Sequence, residues 1–380
     1  MQHLVEWQDE TADCRLLKNY CMRVLAIVPS VYDTNPGQRF RIEQWEPLLR
    51  ERGVEIVYRS FENAALNRIL YQPGQIAAKI REVTRAFQRR REHLRDAREF
   101  DVIYLFRESA LLGPAWFERL LYRTGVPIVF DFDDAVFLSY KSPANGYLSY
   151  LKFPAKTKTA CRLAAHVTAG NEYLADYARQ FNDNVTIIPT TLDVEKCQPV
   201  YRASQPVVPV IGWSGSFSTL QHLDTLRGVL QRLAQTETFR LRVICPTDYE
   251  LPGVDVEVVK WRSATEIADL QPLDIGLMPL PDNLWTRGKC GFKALQFMAL
   301  GLPVVCSPVG VNADIIQDGV NGLLARTDDE WLAHLKRLLH DTELRLRLGR
   351  AGRRTVEEKY SAQVVAPRFY EILARVMRKR

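Results

Sequence analysis

Three aspartates stand close together in the stretch PIVFDFDDAVF, residues 127–137, directly after a run of apolar side chains. Asp131 and Asp133 have the spacing of an Asp-x-Asp pair that holds a divalent metal ion. The same pair would serve a phosphatase, with the first carboxylate as nucleophile and the second as general acid and base. In a third interpretation Asp133 and Asp134 face the hydroxyl groups of a substrate and stabilise developing positive charge. A structural alternative is that Asp133 or Asp134 caps a helix.

A second candidate site is the loop GKCG, residues 288–291, which leads into the helical pattern FKALQFMAL. Free N–H groups at a helix start and the positive end of the helix dipole favour phosphate. Lys289 and Lys293 lie near that start, with Gly291 and Phe292 between them. Each ammonium group would contribute about 1.5–3 kcal/mol through a charge-assisted hydrogen bond. The alternative is two solvated lysines beside an ordinary loop.

A third candidate is the glycine-bearing turn in IGWSGSFST, residues 211–219, which follows another predicted strand. Ser214, Gly215 and Ser216 could lend N–H and O–H donors to a second phosphate. The turn is not a Rossmann G-x-G-x-x-G, and the chain contains no Walker loop.

The loop TNPGQRFR, residues 34–41, follows the first predicted strand. Gly37 would allow a ligand to approach closely, and Arg39 and Arg41 could bind phosphate groups. Glu108, after a later strand, is a further candidate. A solvated loop is the alternative.

Short apolar, β-branched runs alternate with helix-length segments along the chain, which is typical of a parallel sheet covered by helices. The alternation pauses at a proline-rich stretch near residue 200 and then resumes. We therefore predict an α/β fold with two doubly wound, Rossmann-like domains whose strand-end loops face one cleft. The predicted divisions are an N-terminal extension (1–21), a first domain (22–195), a linker (196–208), a second domain (209–360) and a terminal helix that packs back on the first domain (361–380).

Composition indicates a globular protein of a reducing compartment, and we expect it in the cytoplasm. Of 380 residues seven are cysteines, without a C-x-x-C motif or metal-ligand spacing. No run is apolar and long enough for a membrane span. Residues 1–21 do not have the pattern of a signal peptide.

The net charge of +6 is unevenly placed, because basic residues cluster in residues 81–98. Apolar residues interleaved with the arginines there indicate either an amphipathic helix at a membrane surface or a surface helix folded onto the domain. A peripheral contact with the inner face of the cell membrane is therefore one interpretation. We expect no nucleic-acid partner, since no recognisable module accompanies the charge.

The stretches DIGLMPLPDN, GKCGFKALQFMALGLPVVCSPVG and IGWSGS resemble those of GT-B glycosyltransferases related to the family-four (glycosyl transferases group 1) retaining enzymes. The resemblance covers about residue 22 to the C-terminus and is most specific in the second domain. It implies a nucleotide-diphospho-sugar donor on the second domain, a glycan or lipid-linked acceptor on the first, and no metal or other cofactor. It also implies a role in cell-surface polysaccharide or glycolipid synthesis.

The family usually has two glutamates eight positions apart around this helix, and here those positions hold Gly288 and Gln296. Gln296 can still accept a hydrogen bond from a donor hydroxyl, whereas Gly288 cannot. Asp133 stands where the family often has a histidine facing the donor sugar. A non-catalytic sugar-nucleotide-binding protein and, less favoured, a dehalogenase-type phosphatase remain the alternative functions. The predicted site residues are, for catalysis, Asp133, Lys289 and Lys293; for donor binding, Gly37, Arg39, Ser214, Gly215, Ser216, Gly291, Phe292 and Gln296; and on the acceptor side, Arg41, Glu108 and Asp134.

Overall fold

The computed structural model describes residues 22–378 apart from residues 71, 73, 140–150, 200 and 202–206. The predicted N-terminal extension 1–21 therefore lies outside the described residues, as does much of the predicted linker. The chain divides into two compact units, and each is described by itself. Unit 1 comprises Met1–Ile188 and Val365–Arg380, and unit 2 comprises Pro189–Val364.

Unit 1 is built on a six-stranded sheet in the order β2-β1-β3-β4-β5-β6. Its strands are β1 (Met22–Val28), β2 (Val54–Ser60), β3 (Val102–Phe106), β4 (Ile128–Phe132), β5 (His166–Ala169) and β6 (Val185–Ile187). Its helices up to β6 are α1 (Pro36–Arg39), α2 (Glu46–Arg50), α3 (Ala64–Leu70), α4 (Ile76–Arg95), α5 (Trp116–Tyr122), α6 (Ala155–Leu163) and α7 (Glu172–Arg179), with 3-10 turns at Glu43–Trp45 and Asp96–Glu99.

Unit 2 contains a second six-stranded sheet, in the order β12-β11-β10-β7-β8-β9. Its strands are β7 (Val210–Ser214), β8 (Arg240–Cys245), β9 (Asp255–Lys260), β10 (Ile275–Met278), β11 (Val304–Cys306) and β12 (Leu323–Leu324). Its helices are α8 (Leu220–Asp224), α9 (Arg227–Ala234), α10 (Glu266–Leu270), α11 (Leu284–Arg287), α12 (Phe292–Ala299), α13 (Asn312–Ile315), α14 (Asp328–His340) and α15 (Thr342–Thr355). Unit 2 also contains 3-10 turns at Phe217–Thr219 and Ser263–Thr265 and a π-helical turn at Val356–Tyr360. The last helix of the chain is α16 (Ala362–Arg378).

Every strand pair recorded between these elements is parallel. Strands of a parallel sheet covered on both faces read as continuous apolar runs, and all residues of β3 and β4 are buried. The prediction of two doubly wound parallel sheets is confirmed. The short strand β12 was not predicted, because two residues carry no usable periodicity.

The strand order reverses once in each sheet, and such a switch point is where open α/β sheets bind ligands. In unit 1 it lies between β1 and β3, and in unit 2 between β7 and β10. The loops after these four strands are therefore the places to look for chemistry.

The basic helix α4 uses its apolar face inside unit 1. Val83, Phe87 and Leu94 pack against a core cluster that includes Phe61 and Phe117. This is the packing expected of a surface helix folded onto the domain. Among the described residues, we find no helix that is both long and apolar enough to cross a membrane.

A buried ionic network joins several strands of unit 1 around Asp131. This carboxylate is fully buried and pairs with the equally buried guanidinium of Arg41. It also accepts hydrogen bonds from the Tyr104 hydroxyl at 2.7 Å and the Thr168 hydroxyl at 2.6 Å. Arg41 in turn donates to the backbone oxygen of Ile188. Asp131 thus serves the fold, since a phosphatase nucleophile or a metal ligand would need an accessible carboxylate.

We expect Asp131→Asn to lower the free energy of unfolding by about 3–5 kcal/mol, because the buried Arg41 charge would lose its opposite charge. Urea denaturation followed by circular dichroism measures this change. The matched control is Asp176→Asn, which removes an exposed partner of Arg179 and should cost no more than about 1 kcal/mol. Equal midpoints for the two variants would show that the buried pair does not hold unit 1 together.

Candidate functional site

Lys293 connects the start of α12 to the end of β7 in unit 2. Its ammonium group donates to Ser214 Oγ at 3.2 Å and to Gln296 Oε1 at 3.4 Å. Ser214 and Gln296 are both buried, at 2% and 0% exposure. The structure therefore brings three predicted site residues together at the β7/β10 switch point.

The first turn of α12 begins at a glycine. Gly291 occupies the N-cap with φ of +69° and has no side chain to cap the turn, while the N–H of Ala294 donates to the Met278 sulfur at 3.1 Å. A side chain at this position would be strained and would also overlap Ile315, which lies 2.2 Å from where a Cβ would be. Phe292 follows, and the ammonium group of Lys293 lies 4.9 Å from its ring centroid. The positive end of the helix dipole and the ammonium group of Lys293 together favour an anion at this helix start.

Gln296 supports Lys293 through its amide oxygen, so that oxygen already has a donor. Its amide nitrogen is buried and has no hydrogen-bond partner within the protein. The observed amide orientation is the one that Lys293 requires, because the reverse would set two donors against each other. The contact of Gln296 with a donor sugar stays a prediction.

Lys289 lies on the other side of the same loop. Its ammonium group is 5.4 Å from the ring centroid of Trp285. Burial, and secondarily the charge of Lys289, lower the pKa of His222 to about 4. His222 Nδ1 is, like the Gln296 amide nitrogen, a buried polar atom without a partner in the protein. Buried polar atoms are usually satisfied, so these two are atoms that a bound ligand or water could satisfy.

The turn after β7 offers fewer hydrogen-bond donors to a phosphate than its sequence predicts. The N–H of Gly215 donates to the Ile244 oxygen at 3.0 Å, and the N–H of Ser216 donates to the Thr219 hydroxyl at 2.9 Å. Both backbone donors predicted for a phosphate are therefore engaged. Gly215 is required by packing, since a Cβ would lie 2.2 Å from the Trp213 ring.

Arg107 organises the corresponding loops of unit 1, and the sequence analysis did not single it out. Its guanidinium pairs with Asp133 at 2.6 Å and with Asp134 at 3.0 Å. The residue directly follows β3 and has φ of +56°, an uncommon conformation for a residue other than glycine. The available signal was its position, an arginine at the end of the strand that adjoins the acidic end of β4.

Gly37 packs against this group of side chains. A Cβ at this position would lie 2.7 Å from an Arg107 nitrogen and 3.1 Å from a carboxylate oxygen of Asp133. We predicted that the missing side chain of Gly37 lets a ligand approach closely. In the structure the groups that approach Gly37 closely are the side chains of Arg107 and Asp133. Gly37, Asp133 and Asp134 are brought together by Arg107.

Three other predicted residues of unit 1 have separate partners. Arg39 pairs with Asp33 at 2.8 Å, and Glu108 pairs with Lys156. Arg41 is fully buried against Asp131, which corrects its prediction as an acceptor-side residue: a ligand could reach it only by breaking the buried ion pair.

We expect Lys289→Ala to raise the pKa of His222 above about 4, because the repulsive charge is removed. The value should stay below the ordinary histidine value of about 6.5, since burial remains the larger cause. An NMR titration of the histidine ring protons measures it. Lys260→Ala, at an exposed pair with Asp248, is the control and should leave the titration unchanged. An unchanged His222 in Lys289→Ala would contradict the proximity of the two side chains.

Part of the chain is similar in sequence to known glycosyltransferases. Residues 208–341 match the model of the family described as glycosyl transferases group 1. D-inositol 3-phosphate glycosyltransferase of Stackebrandtia nassauensis is 27% identical over 216 residues, which cover 49% of this chain and 48% of that protein. The match thus spans about half the length of this curated relative.

Solved structures resemble the chain over most of its length. Sucrose-phosphate synthase from Thermosynechococcus elongatus has a TM-score of 0.68 at 15% identity, covering 94% of this chain and 100% of its own. HepE from Anabaena, in complex with UDP and glucose, has a TM-score of 0.64 at 15% identity, covering 93% of this chain and 99% of its own. These likenesses establish the fold and confirm the resemblance drawn from the sequence. The chain has the GT-B fold, and its residues 208–341 are similar to the glycosyl transferases group 1 family.

Proposed function

We propose that the protein is a glycosyltransferase that moves a sugar from a nucleotide-diphospho-sugar to a hydroxyl of a glycan or lipid-linked acceptor. The observation that carries the proposal is the link from Lys293 to Ser214 and Gln296, at the switch point of the unit that matches the family. HepE, a structural neighbour, was solved with UDP and glucose, which supports a uridine nucleotide as a first ligand to test.

In the proposed reaction the bond between the anomeric carbon and the diphosphate oxygen breaks, and its electron pair goes to that oxygen. Lys293, Lys289 and the positive end of the α12 dipole stabilise the charge on the departing diphosphate. The acceptor oxygen forms the new bond to the anomeric carbon, with retention of configuration. The departing phosphate takes the proton of the acceptor hydroxyl, so no protein base is required.

The proposal includes no metal ion, because lysine ammonium groups supply the positive charge that a metal would otherwise bring to the leaving group. It also includes a cytoplasmic location, with a peripheral contact at the inner face of the cell membrane, and a role in polysaccharide or glycolipid synthesis. The arginine-rich outer face of α4 supports the membrane contact, since basic residues attract anionic headgroups.

The catalytic role of Asp133 stays a prediction, and its surroundings refine it. The carboxylate is 8% exposed and is oriented by Arg107. A carboxylate so held is a fixed negative charge that can stabilise an oxocarbenium-like sugar. Arg107 then acts as a positioning residue rather than a catalytic one.

We expect Lys293→Ala to weaken UDP binding about ten- to a hundredfold, because one charge-assisted hydrogen bond to phosphate is lost. Isothermal titration calorimetry with UDP measures the change, and transfer from a nucleotide sugar in the presence of EDTA should fall as well. Lys260→Ala is the matched control on the same unit and should bind UDP normally. Normal UDP affinity in Lys293→Ala would remove the main support for the proposed function.

We expect Asp133→Asn to lower kcat about a hundredfold while UDP affinity is retained, because the charge near the reacting sugar is lost. Steady-state kinetics with the nucleotide sugar that stabilises the protein most in a thermal-shift screen measure it. Asp176→Asn, an exposed aspartate of the same unit, should keep normal kcat. If the unmodified protein bound donor tightly but transferred to no acceptor, the alternative of a non-catalytic binding protein would replace the enzyme.

A further inference from the structure

A pocket of about 340 Å³ lies in unit 1 where β2 ends and α4 packs beside it. Its polar lining comes from two short stretches, residues 58–63 and 89–93, and none of the predicted site residues takes part. The lining side chains used below are those of Arg59, Glu62, Arg89 and His93. A volume near 300 Å³ suits a small molecule.

Three residues that line this pocket have a buried polar atom without a hydrogen-bond partner in the protein. Glu62 is 1% exposed, and one of its carboxylate oxygens accepts from the Asn67 amide at 2.9 Å. The other oxygen, Oε1, is buried and unpartnered, as are Nδ1 of His93 and the hydroxyl of Tyr58. Since native proteins leave few buried polar atoms unsatisfied, these atoms point to a ligand.

The pocket also concentrates positive charge. Arg90, fully buried behind it, donates to the backbone oxygens of Arg59 at 2.8 Å and Val28 at 3.0 Å. Burial, and then the charges of Arg90, Arg59 and Arg89, lower the pKa of His93 to about 4. Arg89 donates to the backbone oxygen of Phe61 at 3.1 Å, so its charge is held at the pocket, and an anion bound there would offset the positive charge that His93 senses.

Neither a simple anion nor a neutral polyol matches the whole lining of the pocket. A bare anion would satisfy the arginines but would meet the carboxylate of Glu62. A neutral sugar or polyol would donate to Glu62 and leave the arginines unmatched. A ligand that carries an anionic group and a hydroxyl on neighbouring atoms satisfies both.

We propose that this pocket binds a phosphate ester of a polyhydroxyl compound, with the phosphate on Arg59 and Arg89 and a hydroxyl donating to Glu62 Oε1. His93 Nδ1 is a further partner for the ester. That this compound is the acceptor, or the headgroup of a lipid acceptor, rests on the proposed function. The binding itself does not, so it is tested without turnover.

Calorimetry with three probes tests the pairing of the two groups: glycerol 3-phosphate, inorganic phosphate and glycerol. Glycerol 3-phosphate should bind more tightly than either fragment. Arg89→Ala should weaken glycerol 3-phosphate about tenfold or more, because it removes a charge-assisted contact. Glu62→Gln should weaken glycerol 3-phosphate to a similar degree and leave inorganic phosphate unchanged or tighter.

Arg91→Ala is the matched control, since Arg91 is an exposed arginine on the same helix that does not line the pocket. Co-sedimentation with phosphatidylglycerol vesicles, against phosphatidylcholine vesicles, separates a lipid headgroup from a soluble ester. Binding in either arm supports the proposal only if Arg89→Ala weakens it about tenfold or more and Arg91→Ala does not. No binding in both arms, or equal loss in the two arginine variants, would overturn it. UDP binding, measured in parallel, reports on the proposed function separately.

Discussion

The buried ion pair between Arg41 and Asp131 is the interaction on which the site-bearing part of unit 1 depends. It joins the loop after β1 to β4, and hydrogen bonds extend it to Tyr104 on β3 and Thr168 on β5. Two buried charges are tolerated only when each lone pair and proton finds a partner. Every side-chain nitrogen of Arg41 and both carboxylate oxygens of Asp131 have a hydrogen-bond partner, and the network thereby ties three strands to the loop after β1.

The three aspartates near the end of β4 divide into two roles because of where the strand ends. Asp131 lies within β4 and is fully buried. Asp133 and Asp134 lie beyond the strand, where Arg107 from the neighbouring strand end holds both carboxylates. Arg41 pairs with Asp131, and Arg107 pairs with both Asp133 and Asp134. These two positive charges offset most of the repulsion among the three carboxylates. The acidic pair that remains is oriented rather than mobile, as a catalytic carboxylate must be.

Each unit places cations beside buried polar atoms that lack a partner in the protein. In unit 2 these are the lysines at the start of α12, with the Gln296 nitrogen and His222 Nδ1. In unit 1 they are the arginines around Glu62 and His93. Buried polar atoms without a partner are costly in the empty protein, and a bound ligand that supplies the missing hydrogen bonds and offsets the positive charge removes that cost. A donor and a phosphorylated second substrate would meet that requirement in the two units separately.

The amino-acid sequence by itself determined the strands, the helices and the two-fold repetition of the α/β rhythm, because apolar periodicity and glycine positions act over a few residues. It also predicted that Lys293, Ser214 and Gln296 belong to one site, and the structure brings these three residues together, whereas the catalytic role of Asp133 stays a prediction. Only the tertiary structure decided which side chains meet. Arg41 pairs with Asp131, 90 residues away, and Arg107 pairs with Asp133, 26 residues away. Glu62 and Arg89 line one pocket because α4 packs beside the end of β2. Such partners follow from strand order and helix packing, which no local pattern encodes.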